Sequence, residues 1–228
     1  MNGSTQEQTS SAQADVPGRV GPNAVLQLVE ALNAESSPSE TAEVFADAGL
    51  SHLLDKPPDS MTDERIPRRL FDAVWRRMPR EKAGPIARDA GRKTADYIIA
   101  NRIPRFAGFL LGALPPWIAS RLLLAAIEKH AWTFAGSGKC QTCWRPVSTI
   151  SISANPLAMP DCQWHTAVFE RLFTRLVCAQ ATVRHTHCCL SGEDACRFEI
   201  TVPWPRTLLA LRRRLDGFAI NHFRLRLR

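Results

Sequence analysis

Apolar residues recur at helical spacing up to about residue 134. A first helix is predicted to begin after Gly21-Pro22-Asn23, because Val25, Leu28 and Leu32 share one stripe. Further helices are predicted to open at Ser39 and close at Gly49, to run from Thr62 to about Met78, and to cover 82–101 and 117–134. The last of these is apolar on nearly all sides, so we expect it to be central and buried.

After Gly138 the pattern changes to a two-residue alternation, which is typical of half-buried strands. Strands are predicted over 149–153, 181–187 and 196–202, with a helix over 163–176 that Asp161 caps. The composition of 190–194 is that of a turn, so the last two strands should form a hairpin. These elements predict an α+β fold in which N-terminal helices pack with a C-terminal antiparallel sheet.

The chain has 228 residues, a length typical of one domain with short additions. Residues 1–20 are polar and contain no apolar run, so we expect a disordered leader rather than a secretory signal. A single domain is expected over 21–204, followed by a basic amphipathic tail over 205–228.

The net charge of +7 is concentrated in that tail. Residues 206–228 contain seven arginines and one aspartate, which account for +6 of it. A basic tail, as opposed to a basic patch across the fold, does not predict nucleic-acid binding. Its arginines alternate with apolar residues, which fits either a helix resting on anionic lipid or a helix packed on the domain.

The most apolar stretch, 106–127, is interrupted by Pro115-Pro116 and Arg121, so it does not predict a membrane span. We therefore expect a cytoplasmic protein, with peripheral contact at the inner (photosynthetic) membrane as a further expectation. In a reducing compartment, clustered cysteines indicate metal ligands or redox groups before disulfides.

Three cysteines and one histidine are predicted to converge: Cys162, His185, Cys188 and Cys196. The hairpin brings Cys188 near Cys196, His185 precedes Cys188 on the same strand, and Cys162 starts the 163–176 helix. Four such ligands suit tetrahedral zinc, and a closed set of four indicates a structural metal.

Other interpretations of the cysteines remain open. Buried cysteines are common in cores without any metal. Cys140 and Cys143 form a C-x-x-C that is a rival ligand pair, and Cys189 is a rival to Cys188. A redox role for the C-x-x-C fits poorly, because Trp144-Arg145-Pro146 is an unsuitable helix start.

Dinucleotide and phosphate-loop motifs are missing. The nearest segment, Gly136-Ser137-Gly138-Lys139, lacks the third glycine of one motif and the spacing of the other. A nucleotide-dependent enzyme built on this chain would bind its cofactor without a readable motif.

The segment from Cys188 to Ile200 resembles the C-terminal signature of the four-vinyl-reductase domain, with Leu190 where alanine is usual. Upstream segments resemble the bacteriochlorophyll four-vinyl reductase family of phototrophic bacteria; they are Gly21-Pro-Asn-Ala24, Met61-Thr-Asp-Glu64, Thr94-Ala-Asp-Tyr97, Asn101-Arg-Ile-Pro104 and 130–138. The resemblance covers about 20–204, and it implies a fold similar to the NO-sensing and TRAPP-type ligand-binding superfamily.

The resemblance also bears on the metal. In phenol-sensing activators that share this domain, zinc is held by three cysteines and a glutamate. Cys162, Cys188 and Cys196 fall on the cysteine positions, whereas His185 replaces the glutamate, which puts the fourth ligand in doubt.

The family's activity implies reduction of the ring-B vinyl group of divinyl protochlorophyllide or chlorophyllide, a step that needs two electrons and two protons. Either the protein is the reductase, with NADPH or another donor, or it carries the pigment to other enzymes of the pathway. A small-molecule sensor or regulator of photosynthesis is the third alternative, and a homodimer is an open expectation. No catalytic residue is assigned.

An apolar cleft with aromatic walls and a few polar anchors would suit this ligand, a magnesium tetrapyrrole. The predicted pigment residues are His130 for the magnesium, Trp132 and Phe134 for the walls, and Arg102 and Arg105 for a propionate. The same aromatics also suit a core, and the same arginines suit a solvated surface.

Overall fold

The computed structural model describes residues 17–203. The helices in this range are α1 (Asn23–Glu35), α2 (Pro38–Asp47), α3 (His52–Asp55), α4 (Arg65–Arg77), α5 (Arg80–Asn101), α6 (Arg105–Ala113), α7 (Pro116–Lys129), α8 (Trp132–Ala135) and α9 (Gln163–Leu176). The strands are β1 (Arg19–Val20), β2 (Thr62–Asp63), β3 (Lys139–Cys143), β4 (Ser148–Ser153), β5 (Thr182–His187) and β6 (Ala195–Thr201). The predicted α+β class is confirmed.

Four strands form one antiparallel sheet in the order β3-β4-β6-β5. The alternation that predicted β4 places Ile150 and Ile152 on the buried face, opposite Phe198 and Cys196 of β6. Strands β5 and β6 pair as the predicted hairpin, with an irregularity between His185 and His187. The sequence did not predict β3, which lies at the edge of the sheet.

Helix α9 is the central helix of the fold. Nine of its 14 residues are buried, among them Trp164, Phe169 and Phe173. One side packs on α5 and the other on β5. The approach to α5 is so close that a Cβ on Gly91 would lie 2.4 Å from the carbonyl oxygen of Trp164. The bounds predicted for this helix, 163–176, are confirmed.

The prediction of one buried helix over 117–134 is wrong. The chain forms two helices there, α7 and α8, which meet at His130 and Ala131. Trp117 is 46% exposed and Leu122 is 47% exposed. An apolar sequence on all sides therefore reflects a helix at the surface, and no sequence pattern predicted α6.

Three predicted helix starts are corrected. Helix α2 begins with a capping box between Ser37 and Glu40 rather than at Ser39. Thr62 lies in β2, and α4 begins only at Arg65. The position that caps α9 is Cys162 rather than Asp161, whose carboxylate instead pairs with Arg80.

The Gly136-Ser137-Gly138 segment binds a carboxylate of the protein itself. The buried Glu64 accepts hydrogen bonds from the Ser137 amide at 2.6 Å and from its hydroxyl at 2.7 Å. Gly136 has a positive φ of 55°, and a Cβ there would lie 2.1 Å from Glu64 Oε2. The glycines therefore join α4 to the start of the sheet.

The two predicted terminal segments lie largely beyond the structure. Residues 1–16 and the tail from 204 onwards are outside the described residues. Regular structure begins within the predicted leader, because Arg19–Val20 pair with Thr62–Asp63 and Val20 is fully buried. In the described range no helix combines the length and the apolar character needed to cross a bilayer.

The close contact between α5 and α9 generates a first prediction. Gly91→Ala should lower the free energy of unfolding by about 2 kcal/mol, because the new methyl group overlaps the Trp164 carbonyl and Ala167. Gly112→Ala is the matched control, since a Cβ there has nothing within 4 Å. Urea unfolding measures both. Equal stabilities of the two variants would contradict this close packing.

Candidate functional site

Three segments bring the four predicted metal ligands together. Cys162 lies at the start of α9, His185 lies near the end of β5, and Cys188 and Cys196 flank the loop of the hairpin. Cys162 adopts a left-handed backbone, with φ of 41°, at the point where the chain turns into α9. Their candidate ligand atoms all lie within 4.8 Å of one another.

The distances in this cluster suit a tetrahedral metal ion. Cys162 Sγ lies 3.4 Å from Cys196 Sγ and 3.9 Å from Cys188 Sγ. A tetrahedron with metal–sulfur bonds near 2.3 Å has edges of about 3.8 Å. His185 Nε2 is buried and has no hydrogen-bond partner in the described range. The group could therefore hold a metal ion, and its four protein ligands would leave no open position.

Thiol chemistry inside the cluster is strongly coupled. The hydrogen bond from Cys162 lowers the pKa of Cys196 to about 3, and the same bond raises the pKa of Cys162. The backbone amide of Cys189 donates to Cys196 Sγ at 3.5 Å. A thiolate is thus already favoured at Cys196, which is the form that binds metal.

The rival cysteines lie outside this group. Cys189 Sγ contacts the Ile152 carbonyl at 3.8 Å. Cys140 and Cys143 lie three residues apart on β3, so their side chains point to opposite faces of the sheet. Burial, with help from Glu128, raises the pKa of Cys140 to about 12, which opposes a redox role.

The sequence analysis missed His165, one turn into α9. Its side chain is fully buried, and its Nε2 lies 3.4 Å from the Phe134 carbonyl oxygen, while Nδ1 has no partner in the described range. Phe198 packs on His165 and also on His185. Burial lowers the pKa of His165 to about 4, so the ring is neutral at pH 7.

A groove of about 730 Å³ lies between α7 and the sheet. Its walls come from the first turns of α7, from the loop between β3 and β4 and from the end of β6; they include Pro116, Trp117, Ser120, Arg121, Trp144, Arg145, Ile200 and Val202. Ser120 is 5% exposed, and its hydroxyl has no hydrogen-bond partner in the described range. An apolar groove that contains such a group is typical of a ligand site.

Two arginines in the groove stack on one indole. The guanidinium carbons of Arg145 and Arg121 lie 4.1 and 4.9 Å from the centre of the Trp144 ring. Neither forms an ion pair with any residue in 17–203. The groove thus combines aromatic surface with two uncompensated positive charges, a combination suited to a planar anion.

The five predicted pigment residues are not gathered in one cavity. Phe134 is 7% exposed and packs edge-to-face on Phe169 in the core. His130 and Trp132 are exposed near the end of α7, and Arg102 and Arg105 are exposed at the start of α6. None of the five lines the groove. Its walls join segments far apart in the sequence; the Trp-Arg-Pro run after Cys143 was the one visible signal.

Comparison with known proteins identifies the family. The family model of the four-vinyl-reductase domain matches residues 155–202, a range that contains all four clustered ligands. The "Bacteriochlorophyll synthase 23 kDa chain" of Cereibacter sphaeroides is 44% identical over 189 residues, which is 80% of this chain and 90% of the relative. The protein of the same name from Rhodobacter capsulatus is 42% identical over 193 residues, 82% and 88% of the two chains.

The chain belongs to the family of the bacteriochlorophyll synthase 23 kDa chain. Its four-vinyl-reductase domain begins just before α9 and ends just after β6. This match confirms the resemblance that the sequence showed. The matched range also contains α9, the hairpin and part of the groove wall, so the domain supplies both the candidate metal cluster and one side of the groove.

Burial of His165 generates a second prediction. The unfolded chain binds a proton at this residue below about pH 6.5, whereas the folded chain does so only near pH 4. The free energy of unfolding should therefore fall as the pH decreases, by about 2 kcal/mol between about pH 7 and about pH 5 from this residue.

His165→Gln removes that contribution. Its loss of stability between the two pH values should be smaller than that of the wild-type protein, measured by urea unfolding with the metal content determined at each pH. The same loss in both proteins would show that His165 is not held neutral.

Proposed function

We propose that the chain serves in bacteriochlorophyll biosynthesis by binding a magnesium tetrapyrrole in the groove between α7 and the sheet. The observation that carries this proposal is the groove itself, with two tryptophans, two unpaired arginines and a buried hydroxyl. The names of the relatives supply the pathway. The expected ligand is divinyl protochlorophyllide or chlorophyllide.

The chemistry of the groove matches that ligand class. Trp117 and Trp144 offer flat apolar surface to a macrocycle. Arg121 and Arg145 would pair with the carboxylate at its edge, and the Ser120 hydroxyl would donate or accept a further hydrogen bond. A volume of about 730 Å³ lies within the usual range for small-molecule sites.

The protein would then act as a carrier that presents the pigment to other enzymes of the pathway. Reduction of the ring-B vinyl group is the alternative, with NADPH or another reductant as the source of two electrons. Both alternatives start with the same bound pigment, so one titration can separate them. Cytoplasmic location and a homodimer remain expectations.

Titration of the full-length protein with divinyl protochlorophyllide tests the proposal. We expect a saturable shift of the Soret band. Trp144→Ala and the double variant Arg121→Gln/Arg145→Gln should each weaken binding about tenfold or more, since they remove stacking surface or charge-assisted hydrogen bonds. His130→Ala and Trp132→Ala are the matched controls and should bind like wild type.

The opposite pattern would be decisive. Loss of affinity in the His130 and Trp132 variants alone would move the site to the end of α7. The absence of any Soret shift would contradict pigment binding and favour a sensor. NADPH is added last: a further blue shift would indicate reductase activity, whereas an unchanged spectrum fits a carrier.

We also propose that Cys162, His185, Cys188 and Cys196 hold one zinc ion. The sulfur–sulfur distances and the unpartnered His185 nitrogen support this assignment. A closed set of four ligands would give the ion a structural role, which is to tie the start of α9 to the β5–β6 hairpin. His185 would then replace the glutamate of the phenol-sensing activators.

Metal analysis of protein purified without added zinc should find about one equivalent. Cys188→Ser and Cys196→Ser should each lose most of it and lower the midpoint of thermal unfolding, because metal binding and folding are coupled. Cys178→Ser lies outside the cluster and is the control. Full zinc retention in both cluster variants would refute the assignment.

A further inference from the structure

Helix α6 is apolar, yet none of its nine residues is buried. Phe106 is 74% exposed, Phe109 is 81% exposed and Leu110 is 52% exposed. These positions follow the spacing i, i+3 and i+4, so the three side chains share one face of the helix. We call this face, formed by Phe106, Phe109 and Leu110, the α6 face.

The opposite side of α6 rests on the protein. A Cβ at Gly108 would lie 3.8 Å from Leu176 at the end of α9, and Leu111 packs against the core. The helix is therefore anchored with its aromatic side outward. Two phenylalanines and a leucine on a single exposed face form a concentrated apolar patch of the kind that marks an interaction surface.

The charge around the α6 face has one sign. The segment 102–127 contains three arginines and no lysine, aspartate or glutamate. Arg102 and Arg105, at the base of α6, are exposed and form no ion pair with residues 17–203. Their charge is free to attract a negative partner.

We propose that the α6 face docks on a lipid bilayer that contains anionic lipids. Phenylalanine and leucine on one side with arginine at the base is the composition of helices that lie in the membrane interface. A helix of nine residues is about 13 Å long, which suits insertion parallel to the surface. The two arginines would lie at the level of the negatively charged headgroups.

This contact differs from the one predicted for the basic tail. The tail lies outside the described residues, whereas the α6 face belongs to the folded domain. The contact is also independent of the proposed pigment site, since α6 contributes no residue to the lining of the groove. Either inference can therefore fail without the other.

Flotation of the full-length protein with vesicles tests the proposal. Vesicles of phosphatidylcholine mixed with phosphatidylglycerol should bind the wild-type protein, and Phe106→Glu/Phe109→Glu should lower the partition coefficient about tenfold or more. The matched control is Ala42→Glu/Ala46→Glu, which adds the same charge at exposed positions of α2. It should retain binding to well within that factor.

The arginines are tested on the same vesicles at low salt. Arg102→Gln/Arg105→Gln should weaken binding about thirtyfold, while Arg76→Gln/Arg77→Gln, the same charge change on α4, should have a much smaller effect. Pure phosphatidylcholine vesicles should bind the wild-type protein weakly.

Two outcomes would overturn the proposal. Vesicle binding that Phe106→Glu/Phe109→Glu leaves unchanged would assign any membrane contact to another part of the chain, such as the tail. A wild-type dimer that this variant converts to a monomer, without vesicle binding by the wild type, would make the α6 face a contact between two copies. Sedimentation velocity measures that state, and circular dichroism confirms that each variant is folded.

Discussion

Helix α9 has to satisfy two packing surfaces at once, and most of the structure follows from that constraint. One side must approach α5 closely enough that only glycine fits at position 91. The other side carries Phe169 and His165 onto Phe198 of the sheet. The same helix begins at Cys162, so its position also fixes one corner of the thiol cluster. Core packing and candidate metal geometry are thus not independent of each other.

The parts of the fold that the sequence predicted well are those encoded locally. Alternation of Ile150 and Ile152 with polar residues, and the i+4 stripe of α9, reflect direct contact with the core. The hairpin then placed Cys188 and Cys196 together, because the loop between paired strands is short. Four of the residues of interest could therefore be predicted as neighbours before any coordinates.

The errors share a physical cause. Composition shows that 106–134 is apolar, but it does not show whether protein or another medium covers those side chains, so the exposure of α6 and α7 could not be predicted. The groove requires residues from 116–121, 144–148 and 200–203 to meet, and no local pattern encodes that meeting. The exchange of Asp161 for Cys162 at the start of α9 depends on the backbone turn, which the left-handed φ of Cys162 reveals.

The order of the elements along the chain has a consequence for biosynthesis. Helices α1 and α5 leave the ribosome well before α9, the partner that covers their apolar faces. A nascent chain that ends before residue 163 must therefore keep those faces away from other chains, and the fold can close only after synthesis of the last third has begun. Because all four clustered ligands lie in this last third, the metal cluster can be assembled only at the end of translation.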